Sequence, residues 1–242
     1  MEINGYRVGP GVDLVGANLA NSSLKGVNLS GANLSDADLR GCRLEHANLA
    51  GCLLTKVNFE RASLDGANLT GADMRGAAAE SADMSNCNLC EANLHQVNLH
   101  QANLQYANLS RCDAAFAVFV KANLSNANLS YLKGSHCNFM NSVLFGATFE
   151  GALLTSANFS YSQVGSRALT VDEEDQIERW IAWAERDDNY SDAAAFPYEQ
   201  VREFTNERTR PTCFRGADLS GAIFAGVDLS QVDLRSTSIE RA

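Results

Sequence analysis

The chain has 242 residues, a net charge of −10 and 45% hydrophobic residues. It contains no apolar run long enough to cross a bilayer, and its acidic balance without a basic stripe disfavours direct nucleic-acid binding. The opening Met1-Glu2-Ile3-Asn4-Gly5 lacks the charged-then-apolar pattern of an export leader, so a cytoplasmic location is expected.

Residues 1–11 come first. Ile3, Tyr6 and Val8 alternate with polar neighbours, which predicts a short strand capping the first turn of a repeat that begins at Val12; Pro10-Gly11 redirects the chain into it. From Val12 onward one five-residue phrase recurs without a slip. Its large apolar residue, the centre, falls at Leu14, Leu19, Leu24 and every fifth position to Phe159. Of these 30 centres, 27 are Leu, Met or Phe, so the phase is unambiguous. Two residues before each centre lies a small residue, 18 times Ala and five times Cys, and Asn or Asp usually stands between the two.

A helix smears a period of five around its surface, and a flat strand flips its apolar set with every odd step. A coil that turns a corner every five residues satisfies the pattern. The centre and the small residue point inward, four sides make a turn of 20 residues, and turns stack at the inter-strand spacing of about 4.8 Å. Phrases such as Ala17-Asn18-Leu19, Ala32-Asn33-Leu34-Ser35 and Ala122-Asn123-Leu124-Ser125 resemble the pentapeptide repeat proteins. The resemblance covers residues 12–164 and 212–239 and implies an all-β solenoid, a right-handed quadrilateral β-helix. Two columns test the 20-residue turn. Asn28, Asn48, Asn68, Asn88, Asn108 and Asn128 should form a side-chain ladder, and Phe119, Phe139 and Phe159 should stack in the core.

Along residues 12–164 three centres are undersized. Ala79 predicts a thin spot. Ala114 and Gly134 lie one turn apart, and Leu132 in the small slot should fill the space Gly134 vacates. The glycines mostly take the last slot of the repeat, where a tight corner calls for small residues. Outward apolar residues cluster nearby, namely Phe116, Val118, Val120, Met140, Val143 and Phe145. A contiguous patch of this kind suggests a contact, either self-association as a homodimer or contact with residues 165–211, with an ordinary solvated surface as the alternative. Cys42, Cys52, Cys87, Cys112 and Cys137 occupy the small inward slot and read as core fillers, while Cys90 and Cys213 face out.

Residues 165–211 break the period. Thr170-Val171-Asp172-Glu173 is a capping box, and Ile177, Trp180, Ile181 and Ala184 come after it at helical spacing. Pro197 can open a second helix bearing Tyr198, Val201 and Phe204. An inserted α-helical hairpin is therefore expected. It carries 6 Lys+Arg against 12 Asp+Glu and both tryptophans. Residues 212–242 resume the repeat as final turns, with centres from Phe214 to Ile239.

No catalytic triad spacing, phosphate-cradling loop or metal-ligand set is present, and the four histidines fall on outward slots. No cofactor, metal site or enzymatic activity is expected. The expected function is a structural or protein-interaction scaffold, a rigid coil presenting an acidic helical insertion to a protein partner. Trp180, Trp183, Phe196, Tyr198 and Phe204, together with Phe116, Val118, Val120 and Met140, are the candidate interface. The family resemblance implies one alternative, DNA mimicry, because some members act on DNA gyrase as acidic rods. This chain departs from them in keeping most of its acidity in the insertion and in lacking a C-terminal dimerisation helix.

Overall fold

A computed structural model describes residues 2–166 and 211–239. The expected helical hairpin, with Trp180, Trp183, Phe196, Tyr198 and Phe204, lies outside the described residues.

The N-terminus is a hairpin and not the single strand expected. Strand β1 (Glu2–Ile3) pairs antiparallel with β2 (Tyr6–Arg7), in register Glu2 to Arg7 and Ile3 to Tyr6. Asn4 and Gly5 both have positive φ, 50° and 81°, the requirement of a two-residue hairpin turn matched to strand twist. Ile3 and Tyr6 pack partly buried against the coil and Val8 is buried, so the hairpin covers the first turn.

The coil is built from parallel pairings between residues 20 apart. The first face runs from Asp13 and Asn33 to Lys133 and Leu153, and the second from Asn18 and Asp38 to Asn138 and Asn158. The third runs from Ser23 and Arg43 to Val143 and Gln163, and the fourth from Asn28 and Asn48 to Asn128 and Thr148. Each turn is a square with one repeat per side.

The repeat's residue preferences follow from satisfying backbone donors. Around the first side, Leu14 N–H bonds Asn33 C=O in the next turn, and Gly16 N–H bonds Ser35 C=O. Ala17 N–H closes the corner onto Leu14 C=O, and Asn33 N–H reaches back to Val12 C=O. Four of the five donors in a repeat are thus met by backbone. The fifth, after the centre, has no carbonyl in reach. The Asn or Asp side chain two residues earlier accepts it instead, as in Ala20 N–H to Asn18 Oδ1 at 3.2 Å and Arg40 N–H to Asp38 Oδ1 at 3.1 Å. The same amide also works between turns. Asn48, Asn68, Asn108 and Asn128 each donate Nδ2 to the Asn one turn earlier, at 3.2, 3.3, 3.1 and 3.4 Å, so most of the expected ladder is present.

The corners correct the idea that the last slot needs a small residue. What it needs is a left-handed backbone. Gly26, Gly31 and Gly41 adopt φ of 64°, 67° and 61° there, but so do Lys56 at 55°, Tyr106 at 59°, Phe116 at 61° and Lys121 at 58°. Left-handed φ costs a non-glycine residue roughly 1–2 kcal/mol. Positive φ at the third position of a four-residue turn is the mark of type II geometry, and the corner bonds on both sides hold it. Some glycines have a second role. A Cβ on Gly151 would sit 2.7 Å from the Tyr131 ring, and one on Gly226 would sit 2.7 Å from the Tyr161 ring. A bulky corner residue lies across the bare corner of the next turn.

The interior matches the pattern. Centres are buried from Leu14 to Leu219, and the small residues are buried between Ala32 and Ala222, with Val12, Ser22 and Val27 of the first turn only partly covered. The backbone passes Ala79 unchanged, with Ala78 paired to Asn58 and Asn98. Leu132 fills the space at Gly134, where an added Cβ would meet Leu132 Cδ2 and Leu154 Cδ2, each at 3.0 Å. Phe119, Phe139 and Phe159 stack at 4.7 and 4.8 Å as expected.

The insertion neck and the coil surface

The coil resumes in register beyond the insertion. Cys213 pairs with Thr148, Asp218 with Leu153, and Ile223 with Asn158. Cys213 therefore takes the place residue 168 would hold in an uninterrupted repeat. The excursion leaves and re-enters at the corner between the third and fourth faces. Its two ends are fastened together there. Thr212 Oγ1 accepts from Gly165 N–H at 2.9 Å and donates to Leu144 C=O at 2.7 Å, and Thr212 N–H donates to Gly165 C=O at 3.1 Å. Thr212 is fully buried. A hydroxyl in the small slot, where Ala is the rule, ties the neck.

The core changes character at this level. The Phe column of the second face continues across the insertion, Phe159 stacking on Phe224 at 5.0 Å. On the opposite, fourth face Phe149 stacks on Phe214 at 4.8 Å. The two columns meet edge-on across the interior, Phe139 to Phe149 at 5.6 Å and Phe159 to Phe214 at 5.4 Å. The spacing of 65 between partners on either side of the neck hides this pairing from a search for columns 20 residues apart.

The outward apolar residues form two groups and not one patch. Phe116 lies on the corner between the first and second faces, with Val118, Val120 and Met140 on the second. Phe116 is half exposed, its ring stacked on His136 at 4.9 Å and edge-on to His95 at 5.7 Å. Val143 and Phe145 belong to the third face, next to the neck, because the corner at Asn141 separates them from Met140. The narrow coil also carries a concave feature that its repeat pattern does not announce. It is an open notch of about 320 Å³ over Gly41, lined by Ala20, Asn21, Arg40, Glu60 and Arg61.

Most coil carboxylates near a cation are held by it. Arg40 grips Asp38 with Nε and Nη2 at 2.9 and 2.6 Å, and Arg75 and Arg235 hold Asp73 and Asp233 in the same way. The guanidinium hydrogen bonds keep all three carboxyls below their ordinary range. The histidines are scattered: His46 lies across Gly66, and His100 Nδ1 is 4.0 Å from Glu80 Oε1. Among the described residues no group of His, Cys, Asp and Glu is placed to hold a metal ion.

All seven cysteines are free thiols, and the five in small slots are buried. Each of the five donates Sγ–H to a centre's carbonyl in the preceding turn, from Cys42 to Leu19 O at 2.8 Å to Cys137 to Ala114 O at 2.9 Å. Burial pushes the Cys87, Cys112 and Cys137 thiols up to about 12 and Cys52 up to about 11. Cys90 and Cys213 are partly exposed, with Cys90 Sγ 3.5 Å from Ser110 Oγ.

The family model for pentapeptide repeats matches residues 11–45, 42–78, 73–113, 92–130, 122–160 and 212–242. The chain belongs to the pentapeptide repeat family. The gap between the last two matches coincides with the excursion at the neck. Among solved structures this pentapeptide repeat protein is similar to HetL, which is involved in heterocyst differentiation regulation in the cyanobacterium Nostoc sp. Strain PCC 7120. That likeness has 20% identity and a TM-score of 0.55, covering 94% of this chain and 89% of HetL. It is also similar to QnrB1, a plasmid-mediated fluoroquinolone resistance protein, at 18% identity and a TM-score of 0.52 over 96% and 84% of the two chains. At these identities the likeness is one of fold, the right-handed quadrilateral β-helix. A comparison with curated protein sequences returned no match.

Proposed function

We propose that this pentapeptide repeat protein is a non-catalytic scaffold whose rigid coil presents the acidic stretch 165–211 to a protein partner in the cytoplasm. The observation that carries the reading is the neck. A long non-repeat stretch enters and leaves at one corner, its ends tied by buried hydrogen bonds through Thr212, while the coil continues in register. A segment held at a fixed point of a rigid frame is the usual arrangement of a binding loop. Trp180, Trp183, Phe196, Tyr198 and Phe204 supply the residue types that anchor interfaces.

Mimicry of DNA against DNA gyrase is the second reading, and the electrostatics of the coil weigh against it. Asp38, Asp73 and Asp233 each face a bidentate arginine, and Glu150 is bonded by Arg215 at 3.0 Å, so these acids do not line up as an unpaired stripe. The register at the neck defines the test. Removing residues 167–211 and joining Ser166 directly to Thr212 restores an unbroken 20-residue turn. Affinity capture from the source cell then compares the intact and shortened proteins. A shortened protein that keeps its β-sheet circular dichroism and loses the partner supports the scaffold reading. One that keeps both overturns it, and so does one that loses its fold, since the stretch is then a structural element.

A further inference from the structure

Charge is distributed unevenly along the coil. Between Ala92 and Phe149 the acidic chain has a single carboxylate, Asp113, against Arg111, Lys121 and Lys133, and three of its four histidines. This belt spans the first and second faces. Arg111 lies over the Tyr131 ring, 5.7 Å from its centroid, on the corner before the first face. Lys133 is exposed on that face, the Phe116–His136 stack forms the next corner, and Val118, Val120 and Met140 cover the second face as far as exposed Lys121.

The Asn or Asp that normally accepts the fifth N–H of the repeat is replaced by Val118 and Lys133, so the N–H groups of Val120 and Ser135 have no acceptor among the described residues. The same holds wherever the slot lacks Asn or Asp, as at Leu53, Ala78, Val143 and Leu153, so it does not single out the belt. An apolar area with cations at its margin calls for a partner surface that is apolar and rich in carboxylates.

We propose that the belt is the docking face for a second copy of this chain, which presents its acidic, aromatic stretch 165–211. That stretch carries 12 acidic residues against 6 basic ones, with Trp180, Trp183 and Phe204 among them, so its composition complements the belt in both charge and apolarity. The neck lies at the corner between the third and fourth faces, away from the second face, so the belt and the root of the acidic stretch are separate surfaces of one chain. A two-fold dimer in which each copy's stretch meets the other's belt forms two identical contacts. The inference extends the scaffold reading and does not depend on which outside partner that reading requires.

Sedimentation equilibrium of the full chain tests it, from about 0.05 M to about 0.5 M salt. The expected result is a dimer with a micromolar Kd at low salt that weakens as salt rises. Lys121→Glu with Lys133→Glu, both at exposed positions, should weaken the dimer by on the order of tenfold or more while leaving circular dichroism unchanged. Adding Asp187→Lys and Asp188→Lys to that variant should recover part of the loss. A chain that stays monomeric at every salt concentration overturns the proposal. So does a dimer indifferent to the lysine reversals, which uses another surface. Val120→Asp provides a second check at the apolar centre: a dimer of unchanged strength would also rule the belt out.

Discussion

The stretch of coil around Leu104 and the stretch around Phe159 share one backbone and have different interiors. Around Leu104 the core is Leu and Ala, and each turn follows the last without interruption. Around Phe159 the chain leaves for the insertion, and the core there is two Phe columns that interlock edge-to-face from opposite walls. The residues before the neck supply Phe149 and Phe159, and those after it supply their stacking partners Phe214 and Phe224. Elsewhere chain connectivity places the next turn. Here the returning segment must find its place unaided, and large rings with a directional contact preference select it.

Phe59 and Phe159 break or sharpen this contrast most directly, because both are second-face centres. Phe159→Ala should cost about 3–5 kcal/mol and release the turns after the neck in a separate early step of thermal unfolding. Phe59→Ala, beside Ala79 in the uninterrupted coil, should lower stability within a single transition. If calorimetry shows one transition for both, the aromatic core does not organise the re-entry. In the Leu-rich stretch, Leu104→Ala should cost on the order of 2–5 kcal/mol. Its neighbour Asn103 donates to Asp83 at 3.0 Å and accepts from Gln105 N–H at 3.3 Å, so Asn103→Ala should cost about 1 kcal/mol. Equal losses in chemical denaturation would refute the inward and outward assignment.

At the neck, Thr212→Val keeps the shape and removes both hydroxyl bonds. Leaving the buried Gly165 N–H without its acceptor should cost about 1–3 kcal/mol. Hydrogen exchange should show faster opening at Gly165 and the turns beyond, with residues near Leu104 unaffected. The smallest effect concerns alkaline pH. The Cys87, Cys112 and Cys137 thiols have folded pKa values raised to about 12, above the ordinary thiol value, so the folded state holds their protons more tightly. Their contribution is complete below the ordinary thiol pKa and is lost as pH rises toward about 12. Denaturant midpoints should fall over that window, and less so in a variant with all three replaced by Ala. Rapid native-state labelling of these thiols, ahead of Cys90 and Cys213, would contradict their burial.

The five-residue period carried the coil, its inward residues and the Asn and Phe columns, because every repeat states the same inside and outside. Three features were harder to read. Asn at the outward slot accounts for an inter-turn ladder, which conceals its second bond to the backbone N–H two residues on. Left-handed corners leave no single signature when Gly, Tyr, Lys and Phe all occupy them. Asn4-Gly5 does signal a hairpin, and the odd spacing of Ile3 and Tyr6 fits cross-strand partners on one face better than a single strand, which would put them on opposite faces. On the surface, Met140, Val143 and Phe145 are neighbours in sequence, although a corner separates Met140 from the other two. Repeats with no Asn or Asp in the outward slot, such as those at Leu53, Val118 and Lys133, leave one N–H without its side-chain acceptor, and this shows only once the donors of the repeat are counted.

The hairpin β1–β2 has a bearing on how the protein comes into being. It is synthesised before the coil and closes on itself over six residues, so a finished edge exists before the first turn emerges. Each later turn needs only the one before it, 20 residues back, and can be laid down as it leaves the ribosome. At roughly 5–20 residues per second, that is one turn every few seconds at most. Growth pauses once, after Gln163, until the excursion has been made and Thr212 returns. During that interval Phe149 and Phe159 wait at the growing edge with no ring above them, the moment in the protein's life when it is most open to a chaperone or to a wrong neighbour.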